Sequence, residues 1–322
     1  MGILISMEGF YKIYRVRKFL RAENIVAVED FNIAINDDQP IVVTLAGESG
    51  SGKTTVAKMI LGLEEPTKGV VRYRGIDLKR LRGEIWRRYR REVQAVFQDP
   101  YSTFNPLHRI ETVLRIPLKR LGVATSNQEI DLIIRKSLED VGLDPDKVLS
   151  KYPRQLSGGE RQRVMIARAI SLQPKLIVAD EPVSMLDASI RASIINILKD
   201  LRDRKGVSIL YITHDLNTAY GISDEIIIMY RGSIVEKGPA KKVLLEPLHP
   251  YTRLLIESLP KPRPTRKILK SREISIYEDT ATPQHGCKFY PRCPLRMDKC
   301  LNKKPPLISV GDREVACYLY GE

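Results

Sequence analysis

The chain has 322 residues, 43% of them hydrophobic and 29% charged, a composition typical of a globular protein and not of a disordered or fibrous one. No apolar run approaches the ~20 residues of a membrane-spanning helix, and the N-terminus lacks the features of a signal peptide, so we expect a cytosolic protein. The net charge of +14 suits a soluble basic protein, a nucleic-acid binder or a protein at an anionic membrane face.

Strand and helix patterns alternate along the chain. Residues 1 to about 40 are expected to form short strands, and apolar runs predict further strands at residues 41–46, 94–98, 176–179, 207–212 and 225–230. Helical periodicity predicts helices at residues 53–63 and 190–201, and a polar helical stretch at about residues 100–155. This order indicates an α/β fold with a mostly parallel sheet and a helical insertion. Five prolines in residues 247–264 mark a boundary before a cysteine-bearing tail.

A glycine-rich segment at residues 47–54 matches the pattern G-x-x-x-x-G-K-[ST] in full, between a predicted strand and a predicted helix. Its glycines let backbone N–H groups turn toward phosphates, and the following helix adds the positive end of its dipole. We expect Lys53 to reach the β- and γ-phosphates of ATP and the Thr54 hydroxyl to ligate Mg²⁺. The residues expected to bind ATP here are Gly47, Glu48, Ser49, Gly50, Ser51, Gly52, Lys53, Thr54 and Thr55.

Two acids end the predicted strand at residues 176–179. Beside a phosphate loop, a carboxylate in the position of Asp180 is expected to lie near Mg²⁺. Glu181 follows it and can point at the attacking water, so we predict that it is the general base.

A capped helix start is predicted at residues 157–160. Ser157 followed by Glu160 has the spacing of a capping box, which would open a helix that runs to Ile170. The same geometry offers a hydroxyl and free backbone N–H groups to an anion.

Two further features of the composition bear on ligands and partners. Residues 79–91 and 261–272 carry much of the positive charge; the first has the spacing of a solvated helix face, and neither lies near a nucleic-acid-binding signature, so no nucleic-acid partner is expected. The four cysteines all lie in the tail, at Cys287, Cys293, Cys300 and Cys317. Four thiolates suit zinc or an iron–sulfur cluster, and the spacing leaves both open, with unligated thiols as a third reading.

Residues 156–160, which read LSGGE, resemble a known family when they are set beside the phosphate loop and the Asp180–Glu181 pair. Over about residues 5–245 the chain resembles the ATP-binding cassette (ABC) transporter ATPases. The resemblance implies a RecA-like P-loop NTPase domain at residues 1–245, with an N-terminal antiparallel β subdomain and a helical subdomain inserted at about residues 99–160. Residues 246–322 would form a small C-terminal extension that contains the cysteine tail.

The resemblance also implies roles for single residues. Gln98, in VFQDP, resembles the family's glutamine-loop residue, which senses Mg²⁺ and the membrane partner. His214, in ITHD, resembles the switch histidine that contacts the γ-phosphate. Asp187, in SMLD, resembles the D-loop residue, although Met185 replaces the commoner alanine.

Tyr14, in KIYRV, resembles the aromatic residue that stacks on adenine. Tyr11 is close in sequence, and a role in core packing stays open for either tyrosine.

In this family the LSGG segment of one subunit covers the nucleotide held by another. Ser157, Gly158 and Gly159 would therefore bind the γ-phosphate of a partner's ATP. The resemblance implies a second homologous ATPase subunit and two transmembrane permease subunits.

A closer resemblance is to the ATPase subunits of dipeptide and oligopeptide importers, carried by FQDPYSTFNP, by HPYT at residues 249–252 and by the tail cysteines. The segments ADEPVSMLDAS and ISDEIIIMYRG resemble the F type of subunit, which pairs with a D type in a heterodimer. This implies an extracellular substrate-binding protein, a place on the cytoplasmic face of the membrane and a [4Fe-4S] cluster on the four cysteines. Oligosaccharide uptake is the alternative function, and a soluble ATPase acting on nucleic acid is a more distant one.

Overall fold

The computed structural model describes residues 2–18, 21–259, 283 and 285–321. Within these residues the chain forms twelve strands: β1 Ile3–Lys18, β2 Arg21–Asn36, β3 Val42–Ala46, β4 Lys68–Tyr73, β5 Ile76–Asp77, β6 Val93–Val96, β7 Leu176–Asp180, β8 Ser208–Thr213, β9 Glu225–Tyr230, β10 Ser233–Pro239, β11 Ile308–Val310 and β12 Arg313–Val315. It also forms twelve α-helices: α1 Lys53–Ile60, α2 Gly83–Glu92, α3 Pro100–Thr103, α4 Ile110–Arg120, α5 Asn127–Asp140, α6 Pro145–Val148, α7 Gly158–Ile170, α8 Ala188–Lys205, α9 Leu216–Ile222, α10 Ala240–Leu245, α11 Pro250–Glu257 and α12 Asp298–Asn302.

The N-terminal region forms an antiparallel sheet of four strands in the order β2-β1-β4-β5. β1 and β2 have 16 residues each, so the expectation of short strands before residue 40 is wrong. The pairing of β1 with β2 shifts register between Met7 and Phe10, and Gly9 and Asp30 have φ angles of 53° and 50°. A β-bulge interrupts the alternation of apolar and polar residues while the strand continues, so the sequence pattern indicates strands shorter than the real ones.

The second sheet has eight strands in the order β11-β12-β10-β9-β3-β8-β7-β6. Pairing is parallel from β9 through β3, β8 and β7 to β6, and antiparallel from β9 outward through β10 and β12 to β11. The predicted α/β fold with a mostly parallel sheet is confirmed. All six residues of β8 are buried, as expected for a central strand covered on both faces.

Four neighbouring parallel strands end at one edge of this sheet. The predicted phosphate loop follows β3, His214 follows β8, Glu181 follows β7 and Gln98 lies just after β6. Because the carboxyl ends of parallel strands meet at the same edge, the topology brings together residues that are far apart in sequence.

The helical stretch between β6 and α7 contains α3, α4, α5 and α6. Its apolar side chains share one core with α7, and this cluster includes Leu114, Leu118, Ile130, Ile134, Leu138 and Met165. Among the helices of the described residues, none combines the length and the apolar character of a membrane-spanning segment.

Several element boundaries differ from the predicted ones. α1 ends at Ile60 instead of residue 63, because Gly62 takes a φ of 63° and turns the chain. α8 is longer than predicted, and α9 and β10 were not predicted. The basic stretch at residues 79–91 covers all but the last residue of α2, whose arginines are mainly exposed while Tyr89 is buried, as a solvated helix face requires. Residues 261–272 lie outside the described residues.

The C-terminal extension joins the main sheet. Glu236 and Lys237 of β10 pair with Val315 and Glu314 of β12, so the tail extends the sheet that holds the phosphate loop. Of the predicted proline-rich boundary, Pro250 begins α11, a position where proline is favoured, and residues 260–264 lie outside the described residues.

Candidate functional site

The loop between β3 and α1 has a backbone that only glycine can adopt at several positions. Gly47, Gly50 and Gly52 have φ angles of 149°, 76° and 101°. A Cβ atom at Gly47 would lie 2.2 Å from the Met229 carbonyl oxygen, and one at Gly52 would lie 2.4 Å from that of Ala27. The glycines therefore permit both the tight turn and the close contact of the loop with neighbouring backbone.

Lys53 is the first residue of α1 and points back into this loop. Its ammonium donates to the carbonyl oxygens of Gly47 and Glu48, at 2.8 Å each, and to the Ser51 hydroxyl at 3.3 Å. Burial lowers the pKa of Lys53, and the nearby carboxylates of Glu181 and Asp180 oppose that shift. The loop thus surrounds a buried cation at a helix N-terminus, an arrangement that attracts a phosphate group.

Thr54 and Asp180 place two oxygen ligands side by side. The Thr54 hydroxyl donates to Asp180 Oδ1 at 3.4 Å, across the gap between α1 and β7. Burial raises the pKa of Asp180, and the neighbouring charge of Glu181 raises it further. The hydrogen bond from Thr54 acts in the opposite direction and lowers this pKa. A hydroxyl beside a carboxylate matches the oxygen ligands that Mg²⁺ prefers.

Glu181 is the point where three predicted site residues meet. The Gln98 side-chain amide donates to Glu181 Oε2 at 3.2 Å, and His214 Nδ1 lies 3.0 Å from Glu181 Oε1. Glu181 has a left-handed φ of 47°, and its N–H is held by the Ile212 carbonyl at 2.9 Å. The surroundings hold the backbone in this strained region, and the contacts of Gln98 and His214 orient the carboxylate.

The predicted capping box is present at the start of α7. The Glu160 N–H donates to the Ser157 hydroxyl at 3.2 Å, and the Ser157 N–H donates to the Glu160 carboxylate at 2.7 Å. A Cβ at Gly159 would lie 2.7 Å from Ile190 Cγ2, so glycine lets α8 pack closely here. Ser157 is exposed, and its side chain is hydrogen bonded within the described residues to Glu160 alone. Asp187, at the N-terminus of α8, is also exposed.

Tyr14 lies on β1 near the start of α1. Its hydroxyl donates to Glu64 Oε2 at 2.6 Å, and the Lys12 ammonium lies 4.9 Å from its ring centroid. Burial and the Glu64 hydrogen bond raise the pKa of Tyr14, while a hydrogen bond with Thr55 lowers it. Tyr14 is therefore next to the phosphate-loop helix, and its stacking on adenine stays a prediction.

The four cysteines line one cavity in the C-terminal extension, together with His249 and Phe289. All four are free thiols. Burial raises the pKa of Cys287 and of Cys317, and raises that of Cys293 to about 11. Within the described residues, however, no group of three or more His, Cys, Asp or Glu side chains is arranged to hold a metal ion.

Sequence reasoning missed two residues that contact the phosphate loop from the extension. The Glu48 N–H donates to the Tyr251 hydroxyl at 3.0 Å, and the Arg292 guanidinium contacts both carboxylate oxygens of Glu48. Tyr251 belongs to the HPYT segment, so a signal existed, but nothing in the sequence connected it to a loop 203 residues away.

Comparison with known proteins gives a consistent result. Residues 28–184 match a family model described as "ABC transporter", and residues 235–300 match one described as "Oligopeptide/dipeptide transporter, C-terminal region". A putative peptide import ATP-binding protein of Brucella abortus is 42% identical over 279 residues, which cover 86% of this chain and 82% of that protein. A probable peptide ABC transporter ATP-binding protein of Sinorhizobium fredii is 38% identical over 320 residues, which cover 98% of this chain and 90% of that protein.

Solved structures share the fold. A dimeric ATP-binding cassette in a post-hydrolysis state, bound to ADP and Pi, matches with a TM-score of 0.63 and 28% identity over 73% of this chain and 98% of that one. The cbiO1 protein of Clostridium perfringens, part of the ABC transporter complex cbiONQ, has a TM-score of 0.64 at 22% identity, covering 76% of this chain and 92% of that one.

Proposed function

This chain belongs to the ATP-binding cassette transporter ATPases, and on that premise we propose that it binds and hydrolyses ATP to energise the import of dipeptides or oligopeptides. The observation that carries the proposal is the meeting of Gln98 and His214 on Glu181, beside the phosphate loop of the neighbouring strand. The match of residues 235–300 to an oligopeptide/dipeptide transporter region supports the class of solute.

The phosphate loop binds the triphosphate of ATP. Lys53 contacts the β- and γ-phosphates; the position of its ammonium inside the loop supports this, and its N–H groups, which here donate to loop oxygens, would turn to the phosphates. Thr54, Asp180 and Gln98 would hold Mg²⁺, and the adjacent oxygens of Thr54 and Asp180 support this assignment. When bound, Mg²⁺ neutralises charge on the phosphates. Tyr14 stacks on the adenine.

Glu181 is the general base of hydrolysis. Its carboxylate accepts a proton from the attacking water as the water oxygen bonds to the γ-phosphorus and the bond to the β–γ bridging oxygen breaks. His214 contacts the γ-phosphate and, through its bond to Glu181, holds the carboxylate in place. The contacts of Gln98 and His214 with the two carboxylate oxygens support this role, since they leave the group little freedom to turn away.

The active site is completed by a second subunit. Ser157, Gly158, Gly159 and Asp187 act on the nucleotide of a partner, and the exposure of Ser157 and Asp187 in this chain supports that assignment. The similar cassette bound to ADP and Pi is itself dimeric. We assign the partner as a homologous D-type subunit, with this chain as the F type.

The remaining partners are two permease subunits and an extracellular substrate-binding protein. The chain lies on the cytoplasmic face of the membrane and transmits ATP-driven closure to the permeases through the groove beside Gln98 and the inserted helices.

The four cysteines of the tail would hold a [4Fe-4S] cluster, with zinc as the alternative. Four free thiols that line one cavity are a suitable donor set, and they support the cluster although they are not arranged as a metal-ion site. When bound, the cluster cross-links the segments that carry the four cysteines. Brown protein with iron and acid-labile sulfide after anaerobic purification is expected; stoichiometric zinc without iron would overturn the assignment.

The function is tested with the assembled complex. Affinity purification of this chain is expected to recover a second ATPase and two permeases, and reconstituted vesicles should import a labelled dipeptide only with ATP and the binding protein. Import of a labelled oligosaccharide in place of the peptide would overturn the solute class. An ATPase stimulated by nucleic acid in the absence of permeases would overturn the transport function.

A further inference from the structure

The C-terminal extension contacts the phosphate loop at a single residue, Glu48, from two sides. The buried Tyr251 hydroxyl accepts the Glu48 N–H at 3.0 Å. The Arg292 guanidinium forms a two-pronged ion pair with the Glu48 carboxylate, and both N–O distances are 3.0 Å. A bidentate pair of this kind fixes orientation as well as distance.

Glu48 in turn contacts Lys53 of the phosphate loop. Its carbonyl oxygen accepts a hydrogen bond from the Lys53 ammonium at 2.8 Å. The amide, the side chain and the carbonyl of Glu48 are therefore all engaged, the first two by the extension and the third by Lys53. A shift of Glu48 would move an oxygen that positions the phosphate-binding cation.

Tyr251 and Arg292 both pack against a cluster of aromatic side chains. Tyr251 and Phe289 are buried at 0% and 1% exposure, and their rings lie 5.5 Å apart. Tyr230, on β9, contacts both rings, at 4.5 Å from Tyr251 and 5.3 Å from Phe289. The Arg292 guanidinium lies 5.8 Å from the ring centroids of both Tyr230 and Phe289. This aromatic cluster fixes where Tyr251 and Arg292 present their polar groups.

The same cluster borders the cysteine cavity. Phe289 and His249 line that cavity, and His249 accepts the Tyr251 N–H at 3.0 Å. Arg292 immediately precedes Cys293 in the chain. The packing around the cysteine cavity therefore also determines where Tyr251 and Arg292 lie.

We propose that Tyr251 and Arg292 are positioning residues for the phosphate loop, through which the C-terminal extension sets the affinity of the site for ATP. Holding Glu48 before ATP arrives reduces the ordering that binding would otherwise require, which is how preorganisation raises affinity. Both residues act through Glu48. The effect acts on the ATP affinity of this chain and leaves the chemistry at Glu181 unchanged.

The test compares dissociation constants for ATP, measured by titration of the full-length protein. Tyr251→Phe keeps the ring and removes the acceptor of a backbone N–H, so we expect affinity to fall about fivefold, which corresponds to about 1 kcal/mol. Arg292→Ala should weaken binding about threefold, because Glu48 and Arg292 are 41% and 38% exposed and such pairs contribute modestly. Arg292→Lys should restore part of the affinity.

Two further measurements separate positioning from a general loss of structure. Lys242→Ala breaks the 2.6 Å ion pair of Lys242 with Asp312, which ties the extension to α10 away from the loop, and should leave ATP affinity unchanged. In a double-mutant cycle, Arg292→Ala should have no further effect once Glu48 is replaced by glutamine. In the assembled complex the variants should raise KM for ATP and leave kcat unchanged.

Unchanged ATP affinity in both Tyr251→Phe and Arg292→Ala would overturn the proposal. So would an equal loss in Lys242→Ala, or additive effects in the cycle, since either result would show that the extension acts through overall stability. A wild-type chain that fails to bind ATP would instead contradict the ATPase function on which the proposal rests.

Discussion

The phosphate-loop region and the C-terminal extension share one sheet but are stabilised in different ways. The strands beneath the phosphate loop are buried; β3 and β8 have no exposed residue. In its described residues the extension contributes two strands of three residues each, the eight-residue helix α11, the five-residue helix α12 and a few buried side chains such as Phe289, Val315 and Tyr318. Its described contacts with the rest of the chain combine the packing of Tyr251 and Phe289 on Tyr230 with ion pairs such as Arg292–Glu48.

The difference teaches where a substitution should act. In the first region the hydrophobic core fixes the backbone, so a change to a site residue should alter chemistry or ligand binding while the fold persists. The extension has little core, so a change to a cross-linking or ion-paired residue should alter its order. The four predictions below test this contrast.

The largest effect is expected at Glu181. Glu181→Gln removes the base and keeps the side chain's size, so turnover in the assembled complex should fall about 10²- to 10⁴-fold while ATP still binds. Steady-state phosphate release and ATP titration measure the two quantities. Asp200→Asn, on the exposed surface of α8, serves as the matched loss of one carboxylate. Turnover near that of the wild type would refute the base assignment.

The next effect is expected at Lys53. Lys53→Ala removes the buried ammonium and should weaken ATP binding about 100-fold, or about 2.7 kcal/mol, because a charge-assisted contact to phosphate is lost. Lys58→Ala is the control, since Lys58 is also on α1 but is exposed and pairs with Glu64 at 3.2 Å. Equal ATP affinities for the two variants by titration would count against the loop assignment.

Much of the nucleotide site could be predicted from the sequence because its signals are local. The phosphate loop, the acids after β7 and the capping box of α7 each occupy a few consecutive residues whose chemistry can be read directly. The meeting of Gln98 and His214 on Glu181 depends on strand order, which the sequence alone does not state. The family resemblance supplied that connection, and the four adjacent parallel strands explain it.

The rest could not be predicted because it depends on contacts between distant segments. β1 and β2 have 16 residues each, but the bulge near Gly9 interrupts the apolar pattern, so the sequence indicated short strands. The contacts of Tyr251 and Arg292 with Glu48 span 203 and 244 residues, and no periodicity encodes them. The cysteine spacing gave four possible ligands but no geometry, so the preference for an iron–sulfur cluster over zinc rests on the family resemblance.

A smaller effect is expected at Cys300, the buried cysteine of the cavity. Cys300→Ser should lower the free energy of unfolding of the extension by more than about 2 kcal/mol. The reason is that binding of the proposed cluster and folding are coupled in a small domain. Limited proteolysis should cut the extension while the cassette remains intact. Ser309→Ala, an exposed change in the same tail, should have no effect. An equally resistant Cys300→Ser protein would show that the thiol does not hold the tail together.

The smallest effect is expected at Glu29, which joins β2 to the extension. Lys288 and Lys304 lie 2.7 and 3.3 Å from Glu29 Oε2. Burial alone would raise the pKa of Glu29, but the hydrogen bond and charge of Lys288, with those of Lys304, lower it below 4.5. A carboxylate with a lowered folded-state pKa stabilises the fold above its unfolded pKa, and this stability is lost as pH falls through the folded-state pKa.

Glu29→Gln should therefore reduce the free energy of unfolding by about 1 kcal/mol at neutral pH and by less in acid, where the wild type has lost the same contribution. Denaturant titration at pH values above and below 4.5 measures the free energy of unfolding of both proteins. The two values should approach each other at the lower pH. Glu65→Gln breaks an exposed pair with Lys79 and should change stability little at either pH. If Glu29→Gln matches Glu65→Gln at neutral pH, the ion pairs do not hold the extension against β2, and its attachment must rest on β12 and the aromatic cluster instead.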